Sequence, residues 1–171
     1  MGELADRIDA MRVRASTPDG AVTGELHGRT RLTLTFLPGW YDLCDESDLE
    51  RRLATLANLL WVARTREYWR TFSDVAGETV TGEDPPISAR DLDWRQERDE
   101  LVARGYSPDG RIAVKSVGMR QWEVHISPGT VRALSEQEFA EAAAQAAGEL
   151  INDQFTKIAA LSNKYYGHEG V

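Results

Sequence analysis

The sequence predicts an α+β protein made of two tandem α-β-β-β-α units. Three observations predict it. A Ser/Thr-Pro-Asp-Gly run occurs twice, 90 residues apart, as Thr17–Gly20 and Ser107–Gly110. Each run is followed by a short segment in which apolar and polar residues alternate strictly. Each alternation is followed by a long amphipathic stretch of helical period. Between Asp9 and Leu60 the offset of 90 gives twelve identities over 52 positions without a gap. Ordinary residue usage would give roughly three by chance.

The first unit opens on a short amphipathic helix whose stripe is Leu4, Ile8 and Met11. The second opens with Ser88 as N-cap, and its stripe is Trp94 and Leu101, aligned with Leu4 and Met11. The Pro-Asp-Gly runs are hairpin loops. Proline presets φ, aspartate bonds nearby backbone, and glycine accepts positive φ. Gly28 and Gly118 mark the next turn, and Pro38-Gly39 and Pro128-Gly129 close the meanders.

The third strands carry the clearest pattern. Leu32, Leu34 and Phe36 alternate with Arg31, Thr33 and Thr35, and Trp122, Val124 and Ile126 alternate with Gln121, Glu123 and His125. A period of two with one polar face predicts an antiparallel sheet covered on one side only.

Long helices follow. Asp45 caps the first, with Asp48 in its opening turn, and Ser135 with Glu138 forms a capping box on the second. The stripe Leu49, Leu53, Leu56, Leu60 matches Phe139, Ala143, Ala146, Leu150 position for position. It should pack on the apolar side of a sheet. Alanines between Ala140 and Ala147 allow close approach there. The stretch SDVAGETVTGEDPP between the units is rich in Gly, Pro and acid. The expected organisation is therefore a first unit over 1–72, a linker over 73–87 and a second unit over 88–167. Three strands leave sheet edges open, and pairing of the units into an intramolecular pseudo-dimer would cover some of them.

Composition narrows function. Net charge is −8; there are 15 acids and 10 bases up to Pro85, and 13 and 10 beyond it. Neither half is basic, which argues against simple binding to a phosphate backbone while leaving room for a local basic patch. No run of 18 apolar residues exists, so a membrane span is not expected. The charged opening MGELADRIDAMRV lacks a signal core, and the single cysteine, Cys44, permits no intrachain disulfide and no cysteine metal cluster. A cytoplasmic setting is expected.

Catalytic chemistry is sparse. His27 falls at an expected turn, His125 on the polar sheet face and His168 in the tail, none with metal-ligand spacing. Cys44 precedes a helix start, where a thiolate is favoured, but it aligns with Leu134 and reads better as packing. No enzyme, cofactor or metal is expected. Two surfaces remain. Arg51, Arg52, Arg64, Arg66 and Arg70 make the first long helix the most cationic element. They are either a solvated face with ion pairs such as Glu67 with Arg70, or a site for phosphate or an acidic partner. Trp61, Tyr68, Trp69 and Phe72 end the same helix, either as core or as an interface. The second long helix has Ile151, Ile158, Ala159 and Ser162 at the aligned positions.

The Ser/Thr-Pro-Asp-Gly hairpin, the glycine turn, the alternating third strand and the Ser-Glu helix start resemble the YbaB/EbfC family, in both units and across nearly the whole chain. The resemblance implies an α-β-β-β-α protomer that pairs into a dimer, nucleoid association, and DNA binding without catalysis. The short first helix and the acidity also resemble divergent actinobacterial relatives that look like accessory or chaperone-like proteins of type VII secretion. Two functional expectations follow. One is a YbaB/EbfC-like DNA-binding protein using the five arginines. The other is an acidic protein-binding adaptor or chaperone using the four aromatics. A homo-oligomer of pseudo-dimers is compatible with either.

Overall fold

The hairpin loops work as their chemistry dictates. In the computed structural model, which describes residues 2–167, the Asp19 carboxylate accepts from the Thr17 hydroxyl (2.7 Å) and the Ala21 N–H (3.0 Å). The Thr17 hydroxyl oxygen accepts from the Val22 N–H at 3.1 Å. Ser107, Asp109, Arg111 and Ile112 repeat the arrangement. Gly20 and Gly110 sit at φ 70° and 74°, where a side chain would be strained.

These loops connect β1 (Arg12–Ser16) to β2 (Val22–His27), and β4 (Val102–Tyr106) to β5 (Ile112–Val117). β3 (Arg31–Phe36) and β6 (Gln121–Ile126) complete two three-stranded antiparallel sheets, ordered β1-β2-β3 and β4-β5-β6. Alternation places Leu34 and Phe36 in the core and leaves Arg31, Thr33 and Thr35 exposed. His27 closes β2 on its outer face, paired with Arg12 and Arg31, and does not lie in the turn expected for it. His168 lies outside the described residues.

Helices α1 (Gly2–Asp9) and α4 (Ala89–Asp99) precede the sheets, and Ser88 caps α4 through the Asp91 N–H. Two short helices that the sequence reading did not anticipate, α2 (Trp40–Leu43) and α5 (Thr130–Ala133), begin after Gly39 and Gly129, both with positive φ. The long helices are α3 (Glu46–Ala76) and α6 (Glu136–Tyr166), each opened by a full capping box, Asp45 with Asp48 and Ser135 with Glu138. α3 runs past Phe72 into the stretch read as linker. It stops where Gly77 takes a left-handed conformation and returns its N–H to the Ser73 carbonyl.

The architecture is α+β, with helices over the apolar face of each sheet. α3 packs on β1, β2 and β6, while α6 packs on β3, β4 and β5. Both leucine and alanine stripes are buried at every position expected. Phe139 of α6 is fully buried and meets Phe36 and Tyr41, with ring centroids 6.1 and 5.6 Å away. The Tyr41 hydroxyl donates to the Leu134 carbonyl at 2.9 Å, and burial raises its pKa to about 12. Between the sheets and the long helices lies an apolar void of about 80 Å³, lined by residues such as Leu53, Leu60, Ile112 and Trp122. The small residues of α6 do allow close approach. A Cβ built on Gly105 of β4 would fall 2.0 Å from the Ala146 carbonyl oxygen.

Candidate functional site

The five arginines of α3 do not form one cationic face. Arg51 is held by Asp48 at 2.9 Å. Arg52 donates to Asp19 in the hairpin loop at 2.9 Å and lies over the Trp40 ring. Arg70 is paired with Glu67 through two bonds. Arg64, expected on a surface, is only 8 % exposed. Its guanidinium lies 4.9 Å from the Trp61 ring and 5.6 Å from Phe155, with Nε unpartnered. Burial, then the nearby Arg29, lowers its pKa. Arg66 alone of the five is exposed with no carboxylate partner among the described residues. The helix is therefore largely neutralised along its length, as a solvated ion-paired face is.

The aromatics divide. Tyr68, Trp69 and Phe72 pack on one another, with centroids 5.1 to 6.4 Å apart. Trp61 is half-buried and faces both the central void and a larger groove. That groove has a volume of about 830 Å³. Its walls come from four parts of the chain that are far apart in sequence. α3 supplies Trp61, Val62, Thr65, Arg66 and Trp69; α6 supplies Gln154, Phe155 and Ile158; α4 supplies Arg95, Arg98 and Asp99; the β5–β6 turn supplies Met119 and Arg120, with Glu83 alongside.

Four arginines thus face two carboxylates. Arg98 binds both Glu83 and Asp99, Arg95 reaches Glu83 at 3.6 Å, and Arg120 reaches Asp99 at 4.0 Å. The apolar floor and cationic rim are the composition that dominates binding energy in protein interfaces. Gln154 is 6 % exposed and lines the groove, yet its Oε1 has no donor among the described residues. A buried acceptor without a donor costs about 1–3 kcal/mol, so a donor arriving with a ligand would be favoured here.

A second feature escaped the sequence reading because it depends on register. On the outer face of the first sheet Arg12, His27 and Arg31 stand in one cross-strand row. Arg14 stands in the next row beside Glu25 and Thr33. Arg12 and Arg31 flank His27 from the two outer strands, with Glu25 3.6 Å from Arg12, so the row carries two guanidinium charges to one nearby carboxylate and suits an anionic partner.

Cys44 is half-buried and its thiol donates to the Tyr41 carbonyl at 3.1 Å. Burial, with Asp48 nearby, raises its pKa to about 11, which fits packing and opposes thiolate chemistry. No group of three or more His, Cys, Asp or Glu side chains among the described residues is placed to hold a metal ion. No helix among them is long and apolar enough to cross a membrane. Comparison with protein families, curated proteins and solved structures finds no match to the chain.

Proposed function

We propose that this chain is a non-enzymatic binding protein, two YbaB/EbfC-like α-β-β-β-α units paired within one chain, which docks a protein partner in the groove between α3 and α6. The pairing is supported by contacts between the halves. Glu50 of α3 accepts from the Ile126 N–H on the edge of β6 at 2.9 Å, Glu46 accepts from Val131, and α6 covers β3. The observation that carries the functional reading is the groove itself. Trp61, Trp69 and Phe155 floor it, arginines ring it, and the buried Gln154 oxygen awaits a donor. The partner segment that fits has an apolar side chain for the floor, carboxylates for Arg66 and Arg120, and an N–H for Gln154. This is the adaptor or chaperone reading, and the groove side chains are the observation that supports it.

The test is a photo-crosslinking amino acid at Val62, an exposed position in the groove wall, in the native host. A discrete protein adduct that disappears in Trp61→Ala/Trp69→Ala supports the reading. Adducts to DNA only, or none, would sink it.

DNA binding is the second reading, and the row Arg12, His27, Arg31 favours it over the helix arginines. It predicts a duplex mobility shift that weakens steeply with salt and is lost in Arg12→Glu/Arg31→Glu. Arg64→Glu is unsuitable for this purpose, because it replaces a buried guanidinium packed on Trp61 and Phe155 by a buried carboxylate that loses those contacts. Absence of a shift at low salt refutes this reading.

A further inference from the structure

The two sheets treat their first edges differently. In the second sheet, α6 closes the edge of β4. The Asp153 carboxylate accepts from the Arg104 N–H at 2.9 Å, and the Lys157 ammonium donates to the Val102 carbonyl at 2.8 Å. These side chains satisfy the backbone groups that point away from β5. Ninety residues earlier the aligned helix positions are Ala63 and Glu67. Alanine has nothing to offer, and Glu67 is turned to Arg70.

The direction of the β1 backbone groups is fixed by its neighbours. Gly28 N–H bonds to Met11 O, and Thr17 N–H bonds to Val22 O. In an antiparallel pair the bonded residues alternate, so Val13 and Ala15 face β2 and Arg12, Arg14 and Ser16 face outward. None of those outward groups has a hydrogen-bond partner among the described residues. Ala15 also stands where β4 has Gly105, so its Cβ keeps α3 from approaching β1 as α6 approaches β4.

We infer that the β1 edge, Arg12 to Ser16, is a site of strand addition for an extended acidic segment of a partner protein. Outward groups at every second residue form a strand template. The side chains choose the sign of the guest. Arg12 and Arg14 are exposed on the outer face, Arg14 without a carboxylate partner among the described residues and Arg12 with only Glu25 at 3.6 Å. Arg31 adds to the same face. An incoming strand with acids at alternate positions sets them beside these arginines and turns its other residues towards Val13 and Ala15. A second copy of this chain is a poor guest. Antiparallel self-pairing centred on Val13 sets Arg12 against Arg14, and pairing centred on Arg14 sets it against itself. The edge lies on a face of α3 different from the one that walls the groove, so this inference stands or fails separately from the groove reading.

Amide exchange of the full chain, read residue by residue by NMR, tests it with an acetylated, amidated Glu-Val-Glu-Val-Glu peptide and a Lys-Val-Lys-Val-Lys control. In the free chain the Arg14 amide should exchange about tenfold faster than that of Arg104, the effect of one hydrogen bond. The acidic peptide should slow Arg14 exchange, and the basic one should not. Ala15→Gly/Ala63→Asp/Glu67→Lys grafts the closure of the second sheet onto the first; it should protect the Arg14 amide and abolish peptide binding. Arg12→Glu/Arg14→Glu, which leaves the helix untouched, should reverse the preference to the basic peptide. Equal protection of Arg14 and Arg104 in the free chain overturns the inference. So do failure of the acidic peptide to bind, protection that grows with protein concentration alone, or protection by duplex DNA in place of the peptide.

Discussion

Two glycines face the long helices from equivalent sheets, and alanine in place of each should have opposite consequences. A Cβ on Gly105 would lie 2.0 Å from the Ala146 carbonyl oxygen and 2.5 Å from the Leu150 nitrogen, both backbone atoms of α6. Contact distance for such atoms is about 3.5 Å, so α6 must retreat by more than 1 Å, roughly, along β4. A gap of about 0.5–1 Å already forfeits a quarter to a half of each dispersion contact. Ala143, Ala146 and Leu150, all buried, lose contacts together. Overpacking of this kind costs about 1–3 kcal/mol, and the rigid backbone obstacle puts Gly105→Ala at about 3 kcal/mol or above. A Cβ on Gly24 instead meets methyl groups, Leu60 at 2.8 Å and Leu56 at 3.1 Å. Those side chains can turn aside, and alanine regains about 0.5–1 kcal/mol of backbone entropy over glycine. Gly24→Ala should therefore stay within about 1 kcal/mol of the parent. Urea unfolding followed by circular dichroism measures both, and the Tm of Gly105→Ala should fall by roughly 6–12 °C for a chain of this size. Equal costs for the two substitutions would refute the close packing of α6 on β4 and the distinction between backbone and side-chain obstacles.

Other expectations test separate features. Asp19 is held down to about 2 by the Thr17 hydroxyl and the Ala21 N–H, and Asp109 is lowered by the Arg111 N–H and the Ser107 hydroxyl. Because both folded values lie below the unfolded value of about 3.9, their contribution is present above pH ~4 and is lost as pH falls towards ~2. Asp19→Asn/Asp109→Asn should flatten the acid limb of a stability profile in that window; an unchanged slope contradicts the loop assignment. Cys44, raised to about 11 from an ordinary 9.0, should react with iodoacetamide at pH 8 about a hundredfold more slowly than a free thiol, until urea unfolds the chain. Labelling at the free-thiol rate in the native protein would contradict its burial. Ala57 lines the apolar void of about 80 Å³, and at about 24 cal/mol per Å³ filling it is worth at most about 2 kcal/mol. Ala57→Leu should raise stability by about 1 kcal/mol in chemical unfolding, and a loss of that size would show the void to be already closed.

Much of the fold was legible because it rests on local chemistry. The Pro-Asp-Gly loops, the glycine turns and the capping boxes each involve residues within a few positions of one another, and backbone geometry admits few substitutes there. The strand alternation and the leucine stripe are readable for a related reason, since a regular element has one period and one apolar side. The short helices after Gly39 and Gly129 were missed because a single turn carries no periodicity. The end of α3 was placed short because its cap, Gly77, lies within a polar stretch that reads as linker.

The candidate site was much less legible. Trp61 and Trp69 were picked out by residue type, but the groove they line also needs α4, α6 and a turn of the second sheet. The arginines of α3 were visible as a cluster, yet their partners decide what they can do. Asp19, which holds Arg52, is 33 residues away, and nothing local marks Arg64 as buried. Register likewise brought Arg12, His27 and Arg31 into one row, and the Asp153 and Lys157 caps reach β4 from 49 and 55 residues away.

By itself, the sequence determined the class of the fold, the order of its strands and its longer helices, and which side of each is apolar, since these follow from residues that are neighbours along the chain. Only the tertiary structure decided which charges are neutralised, which aromatics stay accessible and which sheet edge is left open. Those properties depend on distances between residues far apart in sequence, set by how helices and sheets pack, and no local pattern encodes them.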